Sequence, residues 1–167
     1  MLNKLFTNKS KKNTISVMAP VDGEVIPLTE VPDPVFSEKN MGDGVAIKPT
    51  GGTVVSPVKG TIIQLFSTNH AIGIQTENGA EILIHIGLDT VELEGEGFSS
   101  YVEQGSRVNV GDKLITFDVE LVKRKATSEI IPVIITNTDQ MKEISPTGQD
   151  TVTASQDVLM KLEIEKH

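Results

Sequence analysis

The chain has 167 residues, a net charge of -8, an apolar fraction of 38% and no Cys. Those values suit a globular domain able to bury a real core, call for no oxidising compartment, and argue against a phosphate-backbone footprint, which rewards clustered Lys and Arg. No run approaches the roughly 18 apolar residues of a membrane span and the N-terminus carries no signal-peptide pattern, so a cytoplasmic protein is expected.

Residues 1–13 read as a flexible basic tail. Lys4, Lys9, Lys11 and Lys12 lie there with no acid among them, and Leu2, Leu5 and Phe6 beside them allow weak contact with an anionic membrane surface. Residues 14–167 read as a single domain. Short Ile- and Val-rich runs bounded by Gly, Pro, Asn and Asp predict strands over 23–28, 60–66, 82–86, 114–117 and 130–135. Ala19-Pro20-Val21-Asp22-Gly23-Glu24-Val25-Ile26 is echoed by Ser56-Pro57-Val58-Lys59-Gly60-Thr61-Ile62-Ile63, which implies an approximate symmetry axis. Gly51-Gly52 reads as a turn, and the segment 105–114 as a tight turn feeding another strand. Helix is expected only over 119–126, behind a cap at Asp118, and in one turn after Asp89, where Asp89 and Glu92 form a capping pair. The fold class predicted is all-β: an antiparallel β-sandwich or flattened barrel with an internal repeat and only short helices.

Of the three histidines, His167 ends the chain, which leaves His70 and His85. Two apolar runs, 70–76 and 81–87, flank Asn78-Gly79, the strongest short hairpin signal in a sequence. A two- or four-residue loop there sets His85 opposite Ile72 and His70 opposite Gly87. The histidines then become diagonal neighbours on one face, with Cα atoms about 7–8 Å apart. Leu83 shares that face, while Ile82, Ile84 and Ile86 point into the core. Imidazole in so apolar a strand costs free energy unless it is paired, so two converging rings indicate chemistry or metal binding.

No Ser or Cys elbow and no nucleotide-phosphate loop accompany them, which leaves His as the reacting group, or a metal. A zinc hydrolase using His70, His85 and Asp89 is one alternative, weakened by the lack of a further His or base. A biotinyl or lipoyl carrier is another, suggested by Ala19-Pro20-Val21-Asp22-Gly23 and Val110-Gly111-Asp112-Lys113-Leu114. It is weakened by a hairpin tip, Glu77-Asn78-Gly79-Ala80, that has no Lys to modify. No cofactor is required, although two imidazoles could hold zinc adventitiously or as a regulator.

Thr68-Asn69-His70-Ala71, His85-Ile86-Gly87-Leu88-Asp89-Thr90-Val91-Glu92-Leu93 and Gly95-Glu96-Gly97-Phe98 resemble the glucose-family enzyme IIA component of the bacterial phosphoenolpyruvate-dependent sugar phosphotransferase system. The likeness extends over roughly residues 16 to 164. It implies a β-sandwich that receives a phosphoryl group from the phosphocarrier HPr and passes it to a cysteine of an enzyme IIB domain. On the matching positions, the resemblance makes His85 the residue phosphorylated on Nε2, His70 its assisting neighbour, Thr68 the hydroxyl that orients His70, and Asp89 an acidic residue beside the site. A free-standing monomer is expected. Val35, Phe36, Met41, Phe66, Leu83 and Val91 are expected to ring the histidines as a shallow exposed apolar patch for partners, Leu83 by strand parity and the other five by the resemblance.

Overall fold

The computed structural model describes residues 13–165. The expected basic tail lies outside the described residues except for Asn13, whose carbonyl accepts a hydrogen bond from the Ile164 N–H.

The punctuated Ile/Val runs form strands β1 (Thr14–Met18), β2 (Gly23–Pro27), β3 (Asp43–Pro49), β4 (Thr53–Val55), β5 (Gly60–Leu65), β6 (Ala71–Thr76) and β7 (Glu81–His85). They continue as β8 (Phe98–Ser100), β9 (Arg107–Val108), β10 (Lys113–Phe117), β11 (Ile131–Ile135), β12 (Met141–Pro146), β13 (Thr151–Val152) and β14 (Val158–Ile164). Helix is limited to α1 (Pro34–Ser37), α2 (Val119–Lys125) and short 3-10 turns, one of them at Leu28–Glu30 and one at Thr90–Leu93. The cap expected at Asp118 is present: its Oδ1 accepts from the Leu121 N–H at 3.1 Å, and Lys123, Arg124 and Lys125 complete the last turn, where cations suit the helix dipole.

The strands form three antiparallel sheets, an eight-stranded one in the order β13-β2-β3-β11-β7-β6-β5-β9 and two three-stranded ones, β1-β14-β12 and β4-β10-β8. The sheets stay open, so of the two expected architectures the sandwich is the one formed and the flattened barrel is not.

The sequence repeat is a structural repeat. Gly23 pairs with Pro49 and Val152, and Gly60 with Thr76 and Val108, so β2 and β5 hold matching places near opposite edges of the large sheet. The copies also clasp each other, Met18 N–H to Pro57 carbonyl at 2.9 Å and Val55 N–H to Pro20 carbonyl at 2.8 Å. A Cβ on Gly23 would lie 2.3 Å from the Lys48 oxygen and one on Gly60 2.4 Å from the Gln75 oxygen, which explains why both copies carry glycine there.

Strand alternation divides the large sheet. Ile72, Ile74, Ile82, Ile84 and Val133 face inward to the main core, shared with Val17, Val54, Leu114 and Leu162 of the small sheets. Ala71, Leu83 and Ile134 face outward, where Leu28, Val31 and Phe36 cover them as a second, smaller core. The histidines lie at the margin of that second core.

Candidate functional site

The hairpin carrying His85 forms as expected, but with a three-residue loop. Gly79 N–H bonds to the Thr76 carbonyl, closing a tight turn, and Gly79 follows at φ +98, a conformation that favours glycine. The register therefore shifts by one residue: His85 pairs with Ala71, not Ile72, and Ile72 with Ile84. Strict alternation would then place His70 on the opposite face from His85. It does not, because His70 ends the loop between β5 and β6 and lies outside the strand. Asn69, at φ +59, redirects the chain there, and the two rings meet with centroids 5.1 Å apart and planes at 78°.

Each ring commits its Nδ1 nearby. His85 Nδ1 lies 2.7 Å from the Gly87 carbonyl oxygen. A carbonyl can only accept, so the proton sits on Nδ1 and the lone pair on Nε2. His70 Nδ1 is 2.5 Å from the Thr68 hydroxyl, which places Thr68 in the predicted contact. Phe36 packs against His85 at 5.1 Å between ring centroids, and Phe66 against His70 at 5.2 Å.

Burial favours the neutral form of both rings. His70 is pushed down to about 4, first by desolvation and then by His85. Desolvation lowers His85 as well, opposed by its hydrogen bond to Gly87 and by the carboxylates of Asp33 and Asp89. The register expected from the sequence places Gly87 opposite His70 but gives neither its carbonyl nor Asp33 a part at the site. Asp33 caps α1 through the Val35 N–H, and the Asx signal before Pro34 could have flagged it.

The depressed value of His70 links pH to stability. The unfolded chain binds a proton near 6.5 that folded His70 refuses until about 4. Stability from this group is therefore complete above 6.5 and falls on acidification through that window, by on the order of 3 kcal/mol. Urea midpoints of wild type and His70→Gln between pH 7 and 4 check this: the wild-type slope should be the steeper, and equal slopes would assign the acid loss to other groups.

Several expectations require correction. Asp89 makes no capping bond: it sits at φ +60, and its Oδ2 accepts instead from the Thr127 hydroxyl at 2.5 Å. The left-handed backbone turns its carboxylate away from the first amides of the 3-10 turn. Among the described residues, no three His, Cys, Asp or Glu side chains come together as metal ligands, so the His70, His85 and Asp89 donor set of the hydrolase alternative is not assembled. Within the apolar patch, Phe36 and Leu83 are 3% and 6% exposed, because both belong to the second core, Phe36 as the buried residue of α1. Val35, Met41 and Val91 are exposed and Phe66 is half-buried.

Phe36→Asp should accordingly unfold or destabilise the protein by about 3 kcal/mol or more, since it places a carboxylate among apolar side chains and leaves a cavity beside His85. Chemical denaturation measures this. A wild-type midpoint would mean Phe36 contributes little to the second core.

A family profile described as phosphoenolpyruvate-dependent sugar phosphotransferase system, EIIA 1, matches residues 15–141. The chain belongs to that family. It is a phosphotransferase component that carries phosphoryl groups in sugar uptake, with the antiparallel β-rich fold of this enzyme IIA family. The PTS system glucose-specific EIIA component of Bacillus anthracis is 54% identical to it, over 97% of this chain and 98% of that protein. The component of the same name from Staphylococcus aureus (strain Mu50) is 48% identical, over 91% and 92%. The solved structure of the glucose permease IIA from Mycoplasma capricolum superposes with a TM-score of 0.84 at 45% identity, covering 89% of this chain and 95% of that one. Neither carrier-domain nor hydrolase alternative finds support in these relatives, and no described helix of this enzyme IIA is long and apolar enough to cross a membrane.

Proposed function

We propose that His85 Nε2 accepts a phosphoryl group from the phosphohistidine of HPr and delivers it to a cysteine of an enzyme IIB domain, with His70 assisting both transfers. The observation that carries this reading is the pair of facing rings, 5.1 Å apart, each with Nδ1 already engaged and Nε2 left for a third party. In the accepting step a P–N bond forms to His85 Nε2 as the P–N bond to the donor's ring breaks. His85 has no proton to lose at Nε2, and its Nδ1–H stays on the Gly87 carbonyl, which stabilises the ring as it becomes electron-poor.

His70 supplies the stabilisation on the phosphoryl side. With the Thr68 hydroxyl donating to Nδ1, the neutral ring carries its proton on Nε2 and can donate to an equatorial phosphoryl oxygen. Phosphoryl transfer needs mainly alignment and charge stabilisation, which two fixed rings provide without a metal-bound nucleotide.

We take the exposed Val35, Met41 and Val91, with Phe66 half-buried against His70, as a small apolar surface for partners from which water is easily displaced. Such an interface releases its partners readily, as a carrier with two of them requires. Both partners are expected in the cytoplasm. Because the relatives are named glucose-specific, glucose is the first sugar to test. The purified protein, incubated with enzyme I, HPr and labelled phosphoenolpyruvate, should gain acid-labile, base-stable label and lose it when the IIB domain of a glucose permease is added. Label that never appears, or that the IIB domain leaves in place, would contradict the reading.

A further inference from the structure

Thr90 is fully buried, and its position is unusual. The backbone between the histidine strand and the 3-10 turn at Thr90–Leu93 curls back through two left-handed residues, Gly87 at φ +80 and Asp89 at φ +60. That curl returns Thr90 to the peptide group following Ile86, where its hydroxyl donates to the Ile86 carbonyl at 2.6 Å. Its methyl group fills the space over Gly87: a Cβ on Gly87 would lie 2.5 Å from Thr90 Cγ2.

Ile86 connects both halves of the site. Its N–H donates to the His70 carbonyl at 2.7 Å, and the carbonyl that Thr90 holds belongs to the peptide joining Ile86 to Gly87. Gly87 in turn presents the carbonyl that receives His85 Nδ1–H. A buried threonine often does no more than satisfy its own hydroxyl. Here the group it satisfies lies one peptide from the acceptor of His85 and in the same residue that anchors the backbone of His70.

We propose that Thr90 is a positioning residue for the phosphoryl-transfer site: its hydroxyl and methyl together fix the Ile86-Gly87 peptide, and so hold His85 in the tautomer that presents the Nε2 lone pair. Of the two the hydroxyl matters more: without the methyl the Ile86 carbonyl keeps its donor and the peptide stays held. A methyl alone would leave the buried Ile86 carbonyl without a donor, and the peptide would turn in search of one. Once the Gly87 carbonyl moves, His85 loses the acceptor that keeps its proton on Nδ1, and the unreactive tautomer with Nε2 protonated gains population. The rate consequence rests on His85 being the acceptor; the tautomer consequence does not.

The test uses Thr90→Val, which keeps the shape and removes the hydroxyl, and Thr90→Ser, which keeps the hydroxyl. Nitrogen NMR of the unphosphorylated ring reads the His85 tautomer and its titration directly, and a quench assay reads acceptance from phosphorylated HPr. Thr90→Val should shift His85 from Nδ1–H toward Nε2–H, lower its titration midpoint, and slow acceptance about tenfold. Thr90→Ser should retain the Nδ1–H tautomer and most of the rate. An unchanged His85 tautomer in Thr90→Val, or an equal loss in both variants, overturns the proposal. Should Thr90→Val prove too unstable to measure, loss of the Nδ1–H tautomer in Thr90→Ser overturns it alone. If the tautomer shifts as expected but His85→Ala still accepts a phosphoryl group, the acceptor assignment fails while the positioning role stands.

Discussion

His85→Ala should abolish phosphoryl acceptance, the largest effect expected of any substitution in this protein. The variant loses the only ring among the described residues whose Nε2 lone pair is fixed by a backbone acceptor, the Gly87 carbonyl. His70 should not replace it: in the proposed tautomer, with Thr68 donating to Nδ1, its proton sits on Nε2, the nitrogen it would need for attack. Stability should change little, since His85 is half-buried at the margin of the smaller core. Filter-bound label after incubation with phosphorylated HPr measures the outcome. Wild-type label in a folded His85→Ala protein would move the acceptor elsewhere.

His70→Ala behaves differently. With the proposed acceptor in place, label should still accumulate to one group per chain, but each transfer should slow on the order of 100-fold, the effect of removing one donor aimed at developing charge. The loss should appear in the rate at saturating HPr, because the docking residues are untouched. His70→Gln, whose amide can donate where Nε2–H did, should recover part of it. Equal and complete loss of acceptance in His70→Ala and His85→Ala, with both folded, would show that the two rings act as one unit with no division of labour.

Parts of this site could be read from the residues because they are local. Asn78-Gly79 specified a hairpin, Asp118 a helix start, and the two Pro-Val-x-Gly segments a repeat that the structure carries through strand pairing and reciprocal hydrogen bonds. The register was not legible, since a loop centred on Asn78-Gly79 and a three-residue loop ending in left-handed Gly79 leave the same residue pattern. The histidines nevertheless meet, for a reason that strand alternation does not contain: the loop before β6 turns His70 toward His85.

Phe36 and Leu83 were misplaced for a different reason. Strand parity puts Leu83 on the outer face of the sheet, ordinarily read as exposed, and the resemblance that brings Phe36 to the site says nothing of its burial; contact between residues 28–36 and that face has no periodic signature. Asp89 carried a helix-capping pattern that its left-handed backbone cannot use. The part of Thr90 depends on two positive-φ residues before it, which no spacing of residue types announces.

The central claim is that one nitrogen, Nε2 of His85, bears the phosphoryl group. Phosphorus–nitrogen correlation NMR of the protein phosphorylated by HPr tests it most directly. The account predicts a single phosphorus resonance coupled to His85 Nε2, with His85 Nδ1 still protonated and the His70 ring carrying no phosphorus. Coupling to His70, or to Nδ1 of His85, would contradict it.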